Sequence, residues 1–265
     1  MVICPICHAP LMRKKPCWHC ENNHSFDVAR QGYVNLLPVQ QKHSLTPGDT
    51  KEMVAARRSF LDGGHYLPIA QTLAEMVGSL APEAVLDAGC GEGYYLSHLN
   101  FVPERWGIDI SKEAVRFAAA RDKSAQFLTA TAAHLPFADG SFDCILSMFA
   151  FTAEKEFARV LKPGGHFIQV LAGREHLMGL KNIIYPKIIE KEQHPEPNLD
   201  GFQLVSSKTI EFCFDLTRRE EVHDLLYMTP HVHRISAEGA RALEKTTVLS
   251  DRAQVIFHLY QVDKR

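Results

Sequence analysis

The stretch Val85-Leu-Asp-Ala-Gly-Cys-Gly-Glu-Gly-Tyr-Tyr95 constrains the fold more than any other part of the chain. Its apolar run, Ala84 to Leu86, ends in Asp87 and then in glycines at 89, 91 and 93, with a helix-competent segment behind them. That order predicts a buried strand, a tight turn and a helix N-terminus. Glycine takes positive φ at little cost and lets the backbone approach a ligand closely. The helix start offers unpaired N–H groups to an anion. A merely tight turn does not need three glycines in five positions, so this stretch reads as a ligand site.

The flanking pattern sets the turn in an α/β domain. Helix-spaced apolar residues at Ile69–Leu80 precede the strand Ala84–Ala88. A helix over Tyr94–Leu99, a strand over Arg105–Ile110 and a helix over Lys112–Arg121 follow. Strands are expected over Ala125–Thr129 and Phe142–Phe149, a helix over Thr152–Leu161 and a strand over His166–Leu171. Such alternation argues for a parallel sheet with helices on both faces, and ligands of such sheets bind at the carboxyl ends of the strands. Farther on, Glu175–Lys191 reads as a helix interrupted by Pro186, and Glu192–Gly201 as a polar loop. Lys208–Leu216 and Val255–Val262 read as strands, with helical stretches Arg218–Tyr227 and Ala237–Lys245 between them. This last pair lacks a crossover of the usual kind and is expected to run antiparallel at one edge.

A dinucleotide fingerprint needs a glycine where Tyr94 stands, so nicotinamide cofactors lose ground. Asp109, at the end of the second strand, is placed to accept ribose hydroxyls of an adenosine cofactor. It is equally placed to cap the helix at Ser111-Lys112.

The chain carries seven cysteines, four of them within the first twenty residues: Cys4, Cys7, Cys17 and Cys20. No apolar run is long enough to span a bilayer, and no secretory leader is recognisable, so a cytoplasmic protein is expected. There, clustered cysteines point to metal rather than disulfides. Cys4-Pro-Ile-Cys7 is a metal knuckle. Cys17-Trp-His-Cys20 would complete a four-cysteine site, and Cys20-Glu-Asn-Asn-His24 a Cys3His site; spacing alone slightly favours the former. A segment this short rarely folds without such a device, and a fully ligated zinc would be structural. Net charge is −2 overall, which announces no nucleic-acid partner. It is uneven, with +3 up to His43 and −5 beyond. Arg13-Lys14-Lys15 is either a solvated turn or a phosphate contact. Phe26 to Gln40 is too apolar for a free linker and is expected to pack as an extended segment. Pro47-Gly48-Asp49 marks a turn, Asp49 or Thr50 a helix cap, Gly63-Gly64 a helix stop and Pro68 the next helix start.

His134-Leu-Pro-Phe137 and Leu161-Lys-Pro-Gly-Gly165, with the glycine turn and Asp109, resemble class I S-adenosylmethionine-dependent methyltransferases from about Pro68 onward. Further stretches sharpen the likeness: Cys4-x2-Cys7, Cys20-Glu-Asn-Asn-His24-Ser-Phe-Asp27, Gly32-Tyr-Val-Asn-Leu-Leu-Pro38, Pro47-Gly48-Asp49 and Arg57-Arg58-x-Phe-Leu-x-x-Gly-His-Tyr66. With these the chain resembles the 23S ribosomal RNA (guanine-N1)-methyltransferase family of RlmA type over nearly its whole length. The resemblance implies a Rossmann-like, seven-stranded α/β sheet with an antiparallel edge and a small N-terminal zinc module. Its expected divisions are a zinc-binding RNA-recognition module at 1–43, a linker and helix at 44–67 and a methyltransferase domain at 68–265. It implies zinc on Cys4, Cys7, Cys20 and His24, leaving Cys17 an extra thiol. It also implies cofactor contacts at Tyr66, Gly91, Glu92 and His176, beside Asp87, Gly89, Gly93 and Asp109 of the motifs themselves.

The implied reaction is methylation of guanine N1 in a hairpin loop of 23S ribosomal RNA, with a homodimer as one form of the enzyme. Guanine N1 carries a proton, so a base should assist; His134, His176 and Asp139 are the candidates. One departure from the family stands after the fourth strand, where Phe151 replaces a proline in Met148-Phe-Ala-Phe-Thr152. The competing readings are a small-molecule methyltransferase and a zinc-dependent RNA-binding protein with weak or no catalysis. The zinc module speaks against the first, and the intact glycine turn with Asp109 against the second.

Overall fold

The structure, a computed structural model, describes residues 1–41, 48–187 and 198–263. Pro47 of the expected turn, most of the 192–201 loop and the helical reading beyond Lys187 lie outside the described residues. Strands β1 (Met12–Lys14), β2 (Cys17–His19) and β3 (Ser25–Asp27) form a small antiparallel sheet. Strand β4 (Val34–Asn35) leaves it for a larger one. Helix α1 (Lys51–Asp62) starts at Thr50, whose hydroxyl accepts the Met53 amide at 3.3 Å, and stops at Gly63. Helix α2 (Leu67–Leu80) carries Pro68 in its first turn, where a missing N–H costs nothing.

The alternating part follows: β5 (Ala84–Ala88), α3 (Tyr94–Ser97), β6 (Glu104–Asp109), α4 (Lys112–Arg121), β7 (Gln126–Thr129), β8 (Phe142–Met148), α5 (Glu154–Val160) and β9 (Leu161–Ala172). Last come α6 (Met178–Ile184), β10 (Phe202–Leu216), α7 (Arg219–Tyr227), α8 (Ala237–Lys245) and β11 (Leu249–Val262). Helix α6 is shorter than the apolar pattern suggests. It ends before Pro186, because a proline disfavours helical geometry in the residue ahead of it. Strand β10 begins earlier than Lys208, since the exposed run Gln203–Ser207, apart from a bulge at Val205, pairs with β11 along the sheet edge.

The large sheet has the order β10-β11-β9-β8-β5-β6-β7-β4. β5 to β9 are mutually parallel, and β10 and β11 antiparallel, as expected for the edge pair. The seven expected strands are joined by an eighth: β4 runs parallel to β7, with Val34 opposite Leu128. This accounts for the apolar excess of the Gly32–Pro38 stretch, in which Tyr33, Val34, Leu36 and Leu37 are buried.

Strand alternation feeds two cores. Val85, Phe127, Leu146 and Val170 face the helical layer that includes α2, α4 and α6. Leu86, Trp106, Ile108, Leu128 and Ile145 face the other side, where the 130–141 crossover between β7 and β8 forms no helix. The N-terminal residues cover that face instead. Val2 bridges to Phe137, Trp18 meets Trp106 edge-on at 6.5 Å, and Leu11 is buried in the same cluster. No described helix is long and apolar enough to cross a membrane.

Candidate cofactor cleft and zinc site

A cavity of about 1760 Å³ opens at the carboxyl ends of β5, β6, β8 and β9. Pockets for single small ligands run to roughly 300–1,000 Å³, so this one has room for a cofactor and an acceptor. The glycine turn forms one end. Gly89, Gly91 and Gly93 have φ of +95°, +54° and +82°. A Cβ on Gly89 would lie 2.6 Å from the Ala150 Cβ, so the turn tolerates no side chain there. Gly91 N–H donates to Asp109 Oδ2 at 2.9 Å, and Ser111 N–H to Oδ1 at 2.8 Å. Two backbone amides thus fix the carboxylate, and with about four lone-pair sites it keeps acceptor capacity for ribose hydroxyls. The helix-capping role falls to Ser111, whose hydroxyl accepts the Ala114 amide at 3.3 Å.

Of the eight expected cofactor residues, Tyr66, Gly89, Gly91, Glu92, Asp109 and His176 line the cavity. Asp87 and Gly93 sit behind the lining. Gly93 gives room to Ala118, whose Cβ would be 3.0 Å from a side chain there. Asp87 is fully buried, and neither carboxylate oxygen has a hydrogen-bond partner among the described residues. Burial, then the neighbouring Asp109 and Glu92, push its pKa up to about 8. The Glu92 carboxylate turns to Arg121 at 2.7 Å, and Arg121 also holds Asp62 at 2.7 Å.

Tyr66 and His176 meet across 110 positions of sequence, with the hydroxyl 3.2 Å from Nε2. His176 Nδ1 lies 3.0 Å from the Gln254 carbonyl, which can only accept, so Nδ1 carries the proton. Nε2 is then the acceptor and the Tyr66 hydroxyl the donor. Both ring nitrogens are spent inside the fold, and burial pulls the His176 pKa down to about 4. The other two candidate bases lie outside the cavity: His134 is exposed, and Asp139 pairs with Arg159 at 2.9 Å. Their place in the Leu-Pro-Phe crossover carries them away from the strand ends.

Sequence reasoning assigned no role to Arg57. It donates to Asp49 and, at 3.1 Å, to the Met228 carbonyl, and it lies 3.7 Å from where a Gly91 side chain would begin. It thereby ties α1 to Asp49 and to Met228, beside the glycine turn. Phe149 and Phe151 both line the cavity and are 40% and 70% exposed.

In the N-terminal module, Cys4, Cys7, Cys20 and His24 converge with all ligand atoms within 4.8 Å. Cys20 Sγ is 3.4 Å from His24 Nδ1, and Cys7 Sγ 3.6 Å from Cys20 Sγ. Zinc bonds of about 2.0–2.3 Å in a tetrahedron require edges of roughly this length. Cys17, His8 and His19 stand outside the cluster. The preference that spacing alone gives to four cysteines is thus not the arrangement the fold adopts.

Comparison with known proteins bears on both sites. Residues 2–45 match the zinc-ribbon family described as RlmA, N-terminal, and residues 86–169 the family described as Methyltransferase domain. The 23S rRNA (guanine(748)-N(1))-methyltransferase of Streptomyces fradiae is 38% identical over 74% of this chain and 71% of its own length. The chain belongs to the 23S rRNA (guanine-N1)-methyltransferase family. A protein of Micromonospora griseorubida, provisionally named for the same 23S rRNA (guanine-N(1)-) methyl transfer, is 37% identical over 95% of this methyltransferase and 92% of its own length. The demethylmenaquinone methyltransferase of Tropheryma whipplei (strain Twist) is 37% identical over only 42% of it. S-adenosylmethionine is the cofactor of this methyltransferase, and zinc its structural metal.

Proposed function

We propose that the protein transfers the methyl group of S-adenosylmethionine to N1 of a guanine in 23S ribosomal RNA, in the cytoplasm. One observation carries this reading. The likeness to the named guanine-N1 enzymes runs through the zinc module and the catalytic sheet together, at 37% identity over 95% of the chain. Likeness to the small-molecule enzyme is confined to 42% of it.

In this reading Gly89 and Gly91 admit the cofactor against the backbone, Asp109 accepts its ribose hydroxyls, and Tyr66 and His176 wall it in. Cys4, Cys7, Cys20 and His24 hold zinc. The bound cofactor supplies an electrophilic methyl on a sulfonium; the chain's part is to place the acceptor in line with it. The target guanine must leave its stack to enter the cavity. Phe149 and Phe151 offer it aromatic faces in place of its neighbours. His176 shapes the wall and moves no proton, because both its nitrogens are engaged.

The reading is tested by incubating the zinc-loaded protein with labelled S-adenosylmethionine and unmodified 23S ribosomal RNA, with free guanosine as the competing acceptor. Label should enter the RNA and not the nucleoside. Label in guanosine alone, or in neither, overturns it.

A further inference from the structure

The cavity is electrically divided. At the glycine end its cations are committed: Arg57 pairs with Asp49, and the neighbouring Arg121 with Glu92 and Asp62. One wall of the cavity is made by α6 and by the short turn Pro230–His233. A 2.8 Å hydrogen bond between the Tyr185 hydroxyl and His231 Nδ1 ties the two together. Lys181, Lys187 and Arg234 line this wall. None of the three forms an ion pair among the described residues. Among the described residues, one carboxylate lines the same wall, that of the exposed Glu175. The nearby Asp251 is spent on the Gly179 and Leu180 amides at 2.9 and 2.8 Å. Lys181 is partly buried, and burial disfavours its charge more than the nearby Asp251 and Glu175 favour it. An ammonium kept there without a carboxylate in ion-pair distance among the described residues is suited to an anionic ligand.

The zinc module offers no such surface to the cleft through Arg13. That guanidinium sits over the Trp106 ring at 4.3 Å and donates to Gln126 at 2.5 Å, at the start of β7. The cleft opens at the opposite, carboxyl ends of these strands.

We propose that Lys181, Lys187 and Arg234 form a phosphate-binding wall that holds the RNA backbone beside the guanine entering the cavity. This rests on the RNA reading above and adds to it where the strand is gripped. Phosphate contacts position a nucleic acid without reading its sequence. Such a wall, in a cavity that Phe149 and Phe151 also line, would leave base selection to the aromatic side chains.

The test is the salt dependence of binding to an unmodified 23S ribosomal RNA fragment, measured by fluorescence anisotropy on the full zinc-loaded chain. Each phosphate of a single strand that the protein ceases to neutralise should reduce the slope of log K against log[salt] by about 0.7. K181Q/R234Q should therefore flatten it by about 1.4, with cofactor affinity by calorimetry unchanged. K14Q/K15Q in the zinc module should flatten it less. The exposed single variant R234Q guards against misfolding, and K181R/R234K should restore the slope. An unchanged slope in both R234Q and the double variant, or equal flattening in K14Q/K15Q, overturns the proposal. A wild-type protein that binds the fragment but methylates nothing sinks the RNA methyltransferase reading instead, and this one with it.

Discussion

Removing zinc should unfold the catalytic sheet and not merely the first forty residues. The N-terminal residues share a core with one face of that sheet. Trp106, Ile108, Leu128 and Phe137 are each no more than 1% exposed in the cluster that also contains Val2, Leu11 and Trp18. Exposing a large apolar side chain costs about 1.5–3 kcal/mol, so these four together cost roughly 6–12 kcal/mol. That rivals the roughly 5–15 kcal/mol that holds a typical domain folded. A structural zinc site contributes about 10–16 kcal/mol of apparent binding energy, and the sheet is its beneficiary. The chain's two tryptophans, Trp18 and Trp106, both lie at this junction. Tryptophan fluorescence therefore reports the junction, and far-UV circular dichroism the whole fold. On titration with a zinc chelator the two signals should change together, and the melting temperature should fall as one transition. A fluorescence change at unchanged melting temperature by dichroism would refute the reasoning, because it would mean that the module detaches and leaves an intact sheet. By the same logic, deleting residues 1–43 should yield insoluble protein rather than a lean enzyme.

Other outcomes follow from single sites. His24→Ala should lose bound zinc and Cys17→Ser should keep it, as measured by metal analysis of the purified proteins; the reverse would return the site to four cysteines. Gly89→Ala should cost about 1–3 kcal/mol of stability through its positive φ and abolish S-adenosylmethionine binding by calorimetry; retained affinity would mean that the turn does not approach the cofactor. Phe151→Ala should lower kcat/KM for RNA by about 5- to 150-fold, the worth of one base stacked on an aromatic ring at about 1–3 kcal/mol, with cofactor Kd unchanged. His176, held down to about 4 from 6.5, stabilises the fold fully above pH 6.5. This contribution is lost as pH falls through 4, amounting to about 3 kcal/mol. Denaturant melts of His176→Gln should therefore decline less steeply than wild type between those values, and parallel acid limbs would argue against a buried neutral imidazole.

The strand-turn-helix at Val85–Tyr95 was legible because its chemistry is local: an apolar run, an acid and three glycines say turn and close approach without reference to anything distant. Asp109 was legible for the same reason, one strand away. The zinc set was legible only in part, since C-x2-C recurs at Cys17 and spacing cannot tell which of two thiol pairs the hairpin brings together. Strand β4 was hidden by its length of two residues. Its apolar neighbours signalled burial without signalling against what. The Lys181–Arg234 wall was not legible at all. It joins α6 to a turn some fifty residues later, and nothing in either stretch marks them as neighbours. Tyr66 and His176 would have stayed a packed tyrosine and a surface histidine without the family likeness, because only the fold brings them to 3.2 Å.

The most direct test is the identity of the modified nucleoside. Unmodified 23S ribosomal RNA, methylated in vitro by the wild-type protein with isotopically labelled S-adenosylmethionine, is digested to nucleosides and separated by liquid chromatography with mass detection. The label should elute with 1-methylguanosine, and it should disappear when Gly89→Ala replaces wild type. Label in a ribose-methylated nucleoside, in another base or at another position of guanine would contradict the assignment to guanine N1.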